Sequence, residues 1–212
     1  MATARPVNVA LEQALPVASH EAALVAELKA GSEDAYAYLL AVYQNPVFNL
    51  ISHIVDRTRD APDVLQEVFV KVFRGMPHFH GESSLRTWIY RIAVHEASNH
   101  RRSWLRRRLR EAFSLDDGGV VSEAGWADPA AQPETPYQLL EQAERQEVVE
   151  RALASLAQPY RTAVVLREIE GLSYEEIAQI LGVSEGTVKS RLMRGRELLK
   201  RKLQGRLGRS DV

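Results

Sequence analysis

Arginine, lysine and histidine at helical spacing carry most of the chemistry this sequence offers. Arg91, His95, Asn99 and Arg102 recur at steps of four, four and three, which lines them along one helix face. That ridge runs into Arg101 and a block in which residues 99–110 hold six arginines and no acid. A second basic set lies toward the C-terminus, where residues 187–212 hold nine basic and two acidic side chains, Lys189, Arg191 and Arg194 among them. Between the two, residues 111–150 hold ten acids and one base, so a net charge of −1 hides strong segregation. Two basic patches separated by acid suit two contacts with a polyanion. Solvated helix faces are the plainer alternative. Aromatic rings beside arginine can stack on unpaired bases, although Trp88 falls on an apolar stripe and suits a core better.

Other residue types point away from catalysis. His78, His80 and Glu82 form an H-x-H-x-E string, but no further ligand lies close in sequence to complete a metal site. The chain has no cysteine, which removes thiolate nucleophiles, disulfides and Cys-type zinc sites. Neither a phosphate-cradling glycine loop nor a nucleophile elbow is present. No catalytic residue, cofactor or metal is therefore expected. Membrane insertion is not expected either, because no apolar run approaches the ~18 residues a span requires. A cytoplasmic location follows by default.

These side chains need elements to position them. At 212 residues, 45% of them hydrophobic, the chain has enough material for one large or two small cores. No strand-period alternation of useful length occurs, so the expected fold is all-α. Residues 1–19 lack a pattern and read as a tail. A helix over about 20–30 stops at Gly31, and Ser32 can cap the next over about 33–56, where Pro46 predicts a kink or break. After Pro62 a helix carries Val64, Leu65, Val68, Phe69, Val72 and Phe73 as a wide apolar surface for a core. Asp60, Asp63, Gln66 and Glu67 step along its other face, either solvated or meeting a partner. Past the loop PHFHGES, Leu85, Trp88, Ile89 and Ile92 mark the buried face of a long helix.

Glycine, proline and acids cluster over residues 114–136 and predict a flexible acidic linker between two helical domains. The domain limits read as 20–112 and 137–206, with a linker over 113–136 and a short tail over 207–212. Helices are expected over about 137–156, 159–170, 173–181 and 184–203. Ser173 with Glu176 fits a capping box. Ile177, Ala178 and Leu181 stripe one helix, and Val188 and Leu192 the next, with Gly182 suited to the positive φ of the turn between. Ser184 can cap the second helix and leave first-turn amides for a phosphate. This is helix-turn-helix grammar, in which the second helix lies in the DNA major groove.

Together, D60-A-P-D-V-L-Q-E-V-F, F79-H-G-E-S-S-L-R-T-W-I-Y-R-I-A and L172-S-Y-E-E-I-A-Q-I-L-G-V-S-E-G-T-V-K-S-R-L-M-R-G-R resemble the extracytoplasmic-function branch of bacterial RNA polymerase sigma-70 factors. The resemblance spans roughly residues 20–110 and 136–205. It implies a promoter-specificity subunit whose N-terminal domain docks on core RNA polymerase and opens DNA at the minus-ten element. Its C-terminal domain would read the minus-thirty-five element as duplex. Carried over residue by residue, Asp60, Asp63, Gln66 and Glu67 match the face for the clamp coiled coil of the largest polymerase subunit. Phe79 to Ser83 match a loop that captures a flipped base, and Arg91, His95, Asn99, Arg101 and Arg102 match the promoter-facing helix. Ser184, Gly186, Thr187, Lys189, Ser190, Arg191, Met193 and Arg194 match the minus-thirty-five reader. The resemblance also implies a contact with the polymerase flap and an anti-sigma factor as a further partner. Pro62 stands where the family usually has a non-proline residue. His95 stands where Asn is common, and Asn99 where an acid or Asn is common. The linker acids Asp116, Asp117, Glu123, Asp128 and Glu134 could imitate a nucleic-acid backbone or simply form a soluble tether. A stand-alone helix-turn-helix regulator that needs no polymerase is the alternative reading, and it predicts tight operator binding by the chain alone.

Overall fold

A computed structural model describes residues 17–55, 58–112 and 146–207, and every regular element among them is helical. Helix α1 (Val17–Lys29) starts three residues inside the expected tail and ends at Gly31, whose φ of +79° a side chain would resist. The Ser32 hydroxyl accepts from the Ala35 amide at 3.3 Å and starts α2 (Glu33–Ile54). Of the kink or break expected at Pro46, the break does not occur, and α2 continues through it. Proline removes the hydrogen bond to the carbonyl four residues back, and that residue, Val42, is exposed, so water can reach the abandoned oxygen.

Helix α3 (Ala61–Gly75) carries Pro62 in its first turn, where a missing amide costs nothing. A 3₁₀ turn, Met76–His78, and an irregular stretch lead to α4 (Leu85–Ala112). Two acceptors serve the amides that start α4: Ser84 Oγ takes Thr87 N at 3.1 Å, and Glu21 from α1 takes Leu85 N at 2.8 Å. Leu39, Leu50, Ile51, Val64, Val68, Val72, Leu85, Ile89 and Ala93 interlock as the core of this first bundle. Gly75 packs closely there: a Cβ would sit 3.0 Å from the Trp88 ring, which would have to give by a few tenths of an ångström.

The second bundle begins with α5, described over residues 146–154. Helix α6 (Gln158–Val164) continues into one π-helical turn, Val165–Ile169. Then come α7 (Tyr174–Leu181) and α8 (Glu185–Leu207). The capping box is formed in both directions: Glu176 N donates to Ser173 Oγ at 3.1 Å, and Ser173 N to Glu176 Oε2 at 2.8 Å. Gly182 adopts φ +62°, ψ +39° between α7 and α8. The expected linker, its acids and the first residues of the next helix lie outside the described residues.

Two helical bundles are present, as the sequence predicts, and their buried residues join in one continuous apolar core. The reason is polar as well as apolar. Arg161, only 1% exposed, extends from α6 to donate to the Ile54 carbonyl at the end of α2. A cation there meets the negative end of a helix dipole.

Candidate functional site

Helix α4 buries Leu85, Ile89, Ala93 and Ala97 and turns Arg91, His95 and Arg102 outward. On the outward ridge the polar groups form a chain. Lys71 from α3 meets Glu96 Oε2 at 2.6 Å, and His95 Nδ1 donates to Glu96 Oε1 at 2.8 Å. The Asn99 amide nitrogen lies against the same ring, 3.1 Å from His95 Nδ1 and 3.4 Å from Nε2, and Arg102 donates to Asn99 Oδ1 at 2.7 Å. Burial alone would push the Glu96 carboxyl up, but hydrogen bonds and charge from Lys71 and His95 outweigh it and hold Glu96 below its ordinary value. A buried anion thus anchors an exposed imidazole, which fixes the ridge before any ligand arrives.

Two residues predicted for this face are placed differently. Phe79 is buried, with its ring centroid 5.1 Å from that of Trp88, because the 3₁₀ turn before it directs the ring into the core. Arg101 turns toward the second bundle and donates to Gln158 Oε1 at 3.3 Å. Ser83 is half-exposed on the loop before α4. His78, His80 and Glu82 are exposed, and no cluster among the described residues could hold a metal ion.

Helix α8 buries Val188 and Leu192 and exposes Ser184, Gly186, Lys189, Ser190, Met193 and Arg194 on one side, with Thr187 and Arg191 half-exposed. The Ser184 hydroxyl accepts from Thr187 N at 3.3 Å and so caps the helix as expected. Met193, 64% exposed, is an apolar side chain set between cations, suited to a thymine methyl group. The helix is held from behind. Arg196 donates to Glu168 Oε1 through Nε at 2.9 Å and Nη2 at 2.6 Å. Gly195 lies so close to α6 that a Cβ would meet Val164 Cγ2 at 2.6 Å.

On α3, Asp63, Gln66 and Glu67 are exposed, and Asp60 is half-buried at 4.0 Å from His100 Nε2. The expected wide core surface is only partly used. Val64, Val68 and Val72 are fully buried, Leu65 and Phe69 are partly buried against them, and Phe73 remains 59% exposed. With Leu40 and Gln44 of α2 and Pro62, Leu65, Gln66, Phe69, Val70 and Arg74 of α3, it lines an open apolar groove.

 Sequence reading missed this groove. The signal was there in Val70 and Phe73, apolar residues in excess of the single stripe through Val64, Val68 and Val72 that the bundle can cover.

Comparison with known proteins agrees with this geometry. Residues 39–113 match the family described as sigma-70 region 2, and residues 146–199 match sigma-70, region 4. The chain is 37% identical over 182 residues to the ECF RNA polymerase sigma-E factor of Haemophilus influenzae, covering 86% of this chain and 94% of that protein. It is 37% identical over 187 residues to the protein of the same name from Escherichia coli K12, covering 85% and 93%. Among solved structures it is similar to the sigma factor RpoE of Bartonella quintana, crystallised with the anti-sigma factor NepR (TM-score 0.58, 27% identity, 80% of this chain and 96% of that one). The fold is also that of CnrH, solved with the cytosolic domain of CnrY (TM-score 0.61, 21% identity, 87% and 97%). Matches to both sigma regions, in order and on bundles that present two polar helix faces, place the chain in the sigma-70 family as an extracytoplasmic-function RNA polymerase sigma factor.

Proposed function

We propose that the three exposed surfaces divide the work of promoter recognition. The α4 ridge, with Arg91, His95, Asn99 and Arg102, faces the minus-ten element. The α8 face, with Lys189, Ser190, Met193 and Arg194, reads the minus-thirty-five element in the major groove. The α3 residues Asp63, Gln66 and Glu67, beside the groove at Phe73, seat the clamp coiled coil of core polymerase, and the second bundle meets the polymerase flap. An anti-sigma factor would compete for such surfaces. The chain supplies no catalytic group of its own and acts in the cytoplasm. Strand opening is driven by capturing unstacked bases, which cost a few kcal/mol each to extrude.

One observation carries the reading: α4 and α8 each bury an apolar stripe and leave cations and hydrogen-bonding side chains pointing outward. The test adds the purified chain to core polymerase and a promoter library. New, sequence-specific start sites are expected, and their absence ends this reading. Within that assay, Lys189→Ala or Arg194→Ala should reduce discrimination between promoters by about 1–3 kcal/mol. Arg106→Ala should instead weaken binding to all sequences and lower the salt slope by about one.

A further inference from the structure

To read a base, a side chain must offer a donor or an acceptor of fixed sign. Histidine has two ring nitrogens, and its surroundings decide which carries the hydrogen. On α4 the His95 side chain is 66% exposed, whereas that of Glu96 beside it is 7% exposed. A ligand can reach the ring but not the carboxylate that holds it.

Two groups compete for His95 Nδ1. Glu96 Oε1 lies 2.8 Å away and, when ionised, can only accept; the Asn99 amide nitrogen lies 3.1 Å away and can only donate. The Glu96 contact is the shorter, and a hydrogen bond to a charged group is roughly twice as strong as a neutral one. Glu96 stays charged. Burial raises its carboxyl, but the Lys71 ammonium at 2.6 Å and His95 outweigh burial and hold it below its ordinary value. Nδ1 therefore carries the hydrogen and gives it to Glu96. In the neutral ring this leaves Nε2 as an acceptor, approached by Asn99 only at a long 3.4 Å.

Asn99 is fixed in the opposite sense. Arg102 donates to its Oδ1 at 2.7 Å, so the group left for a ligand is the donor Nδ2. The ridge thus presents an acceptor and a donor 3.4 Å apart. Adenine and cytosine carry an exocyclic amino donor beside a ring acceptor and match that pair. Guanine and thymine carry a carbonyl oxygen in place of the amino group and would set acceptor against acceptor.

We propose that Glu96, oriented by Lys71, locks His95 in the tautomer that accepts at Nε2, so that α4 selects adenine or cytosine over guanine or thymine at one minus-ten position. Glu96 touches no base and acts as a positioning residue; His95 and Asn99 are the reading pair. The inference rests on the assignment of α4 to the minus-ten element. Glu96→Gln should reverse the sign. Lys71 can only donate, so it takes the carboxamide oxygen and turns the amide hydrogens toward His95. Nδ1 must then accept, the ring hydrogen moves to Nε2, and the same ring favours guanine or thymine. Adding Lys71→Ala frees the carboxamide to face either way, and the reversed preference should be lost.

The tautomer is read first, from histidine nitrogen-15 shifts of the labelled free chain at about pH 8, where imidazoles are neutral in general. His95 is assigned by the signal that His95→Asn removes. The unaltered chain should show hydrogen on Nδ1, and Glu96→Gln hydrogen on Nε2. The second arm adds core polymerase and promoters randomised over the minus-ten element. The unaltered chain should favour amino bases about tenfold at one position, and Glu96→Gln should favour keto bases there by about the same factor. Preferences at the minus-thirty-five element should not move. A ring with hydrogen on Nε2 in the unaltered chain overturns the proposal. So does a Glu96→Gln chain that merely binds more weakly with the same preferred base, which is what a purely structural role for Glu96 would give. If the unaltered chain directs no polymerase at all, the assignment of α4 fails and takes this proposal with it; unchanged base preference in an active chain overturns the lock alone.

Discussion

At the scale of single residues, the interior of each bundle carries functional constraint to the surface. Glu96 is the clearest case, since its carboxylate is buried yet its partners Lys71 and His95 are exposed. Glu96→Gln should cost on the order of 1 kcal/mol in urea unfolding, less than a fully buried charged hydrogen bond because water softens the Lys71 side. The folded carboxyl lies below its ordinary value, so its contribution is present above the unfolded value near 4.3 and is lost as pH falls through the folded one. The stability gap between parent and variant should therefore shrink below about pH 4. Gly195 makes the opposite demand, for the absence of an atom. Gly195→Ala gains ~1 kcal/mol of helix propensity but drives a methyl into Val164 and to 3.3 Å from the Tyr160 carbonyl. Overpacking against backbone outweighs propensity, and a net loss of about 1–2 kcal/mol is expected in denaturant midpoints.

At the scale of elements, local signals were legible and coverage by neighbours was not. Ser32, Ser173 with Glu176, Ser184 and Gly182 all occupy the cap and turn positions their sequence spacing implied. Each such motif closes within a few residues, so nothing distant can override it. Pro46 leaves α2 unbroken, since the cost of an interior proline depends on whether water reaches the freed carbonyl, which the sequence does not state. Phe79 is drawn under by a ring nine positions away, that of Trp88, a contact its place in a loop does not announce. Helix α3 shows the same limit: periodicity marked its apolar residues but could not say which of them a second bundle face would cover. The distinction is measurable. Val68→Ala, in the core, should cost about 1–3 kcal/mol of stability. Phe73→Ser, on the groove, should leave thermal unfolding nearly unchanged while weakening association with core polymerase by 1 kcal/mol or more.

At the scale of the whole molecule, the packing of the two bundles was the feature least accessible from sequence. Arg86 and Glu170 are separated by 84 positions, and no local pattern links them. A shared core predicts shared cooperativity. The full chain should unfold in a single calorimetric transition, and Glu170→Ala with Gln158→Ala should divide it into two as each bundle melts alone. The π turn at Val165–Ile169 sets where Glu170 meets Arg86 and Tyr90 of α4, because Glu170 N bonds to the Val165 carbonyl five residues back instead of four. That single surplus residue acts as a phase adjuster. Removing it would turn everything downstream by roughly 100° about the helix axis, swinging the Glu170 carboxylate away from the Tyr90 hydroxyl that donates to it at 2.7 Å and re-aiming α8 in the same stroke.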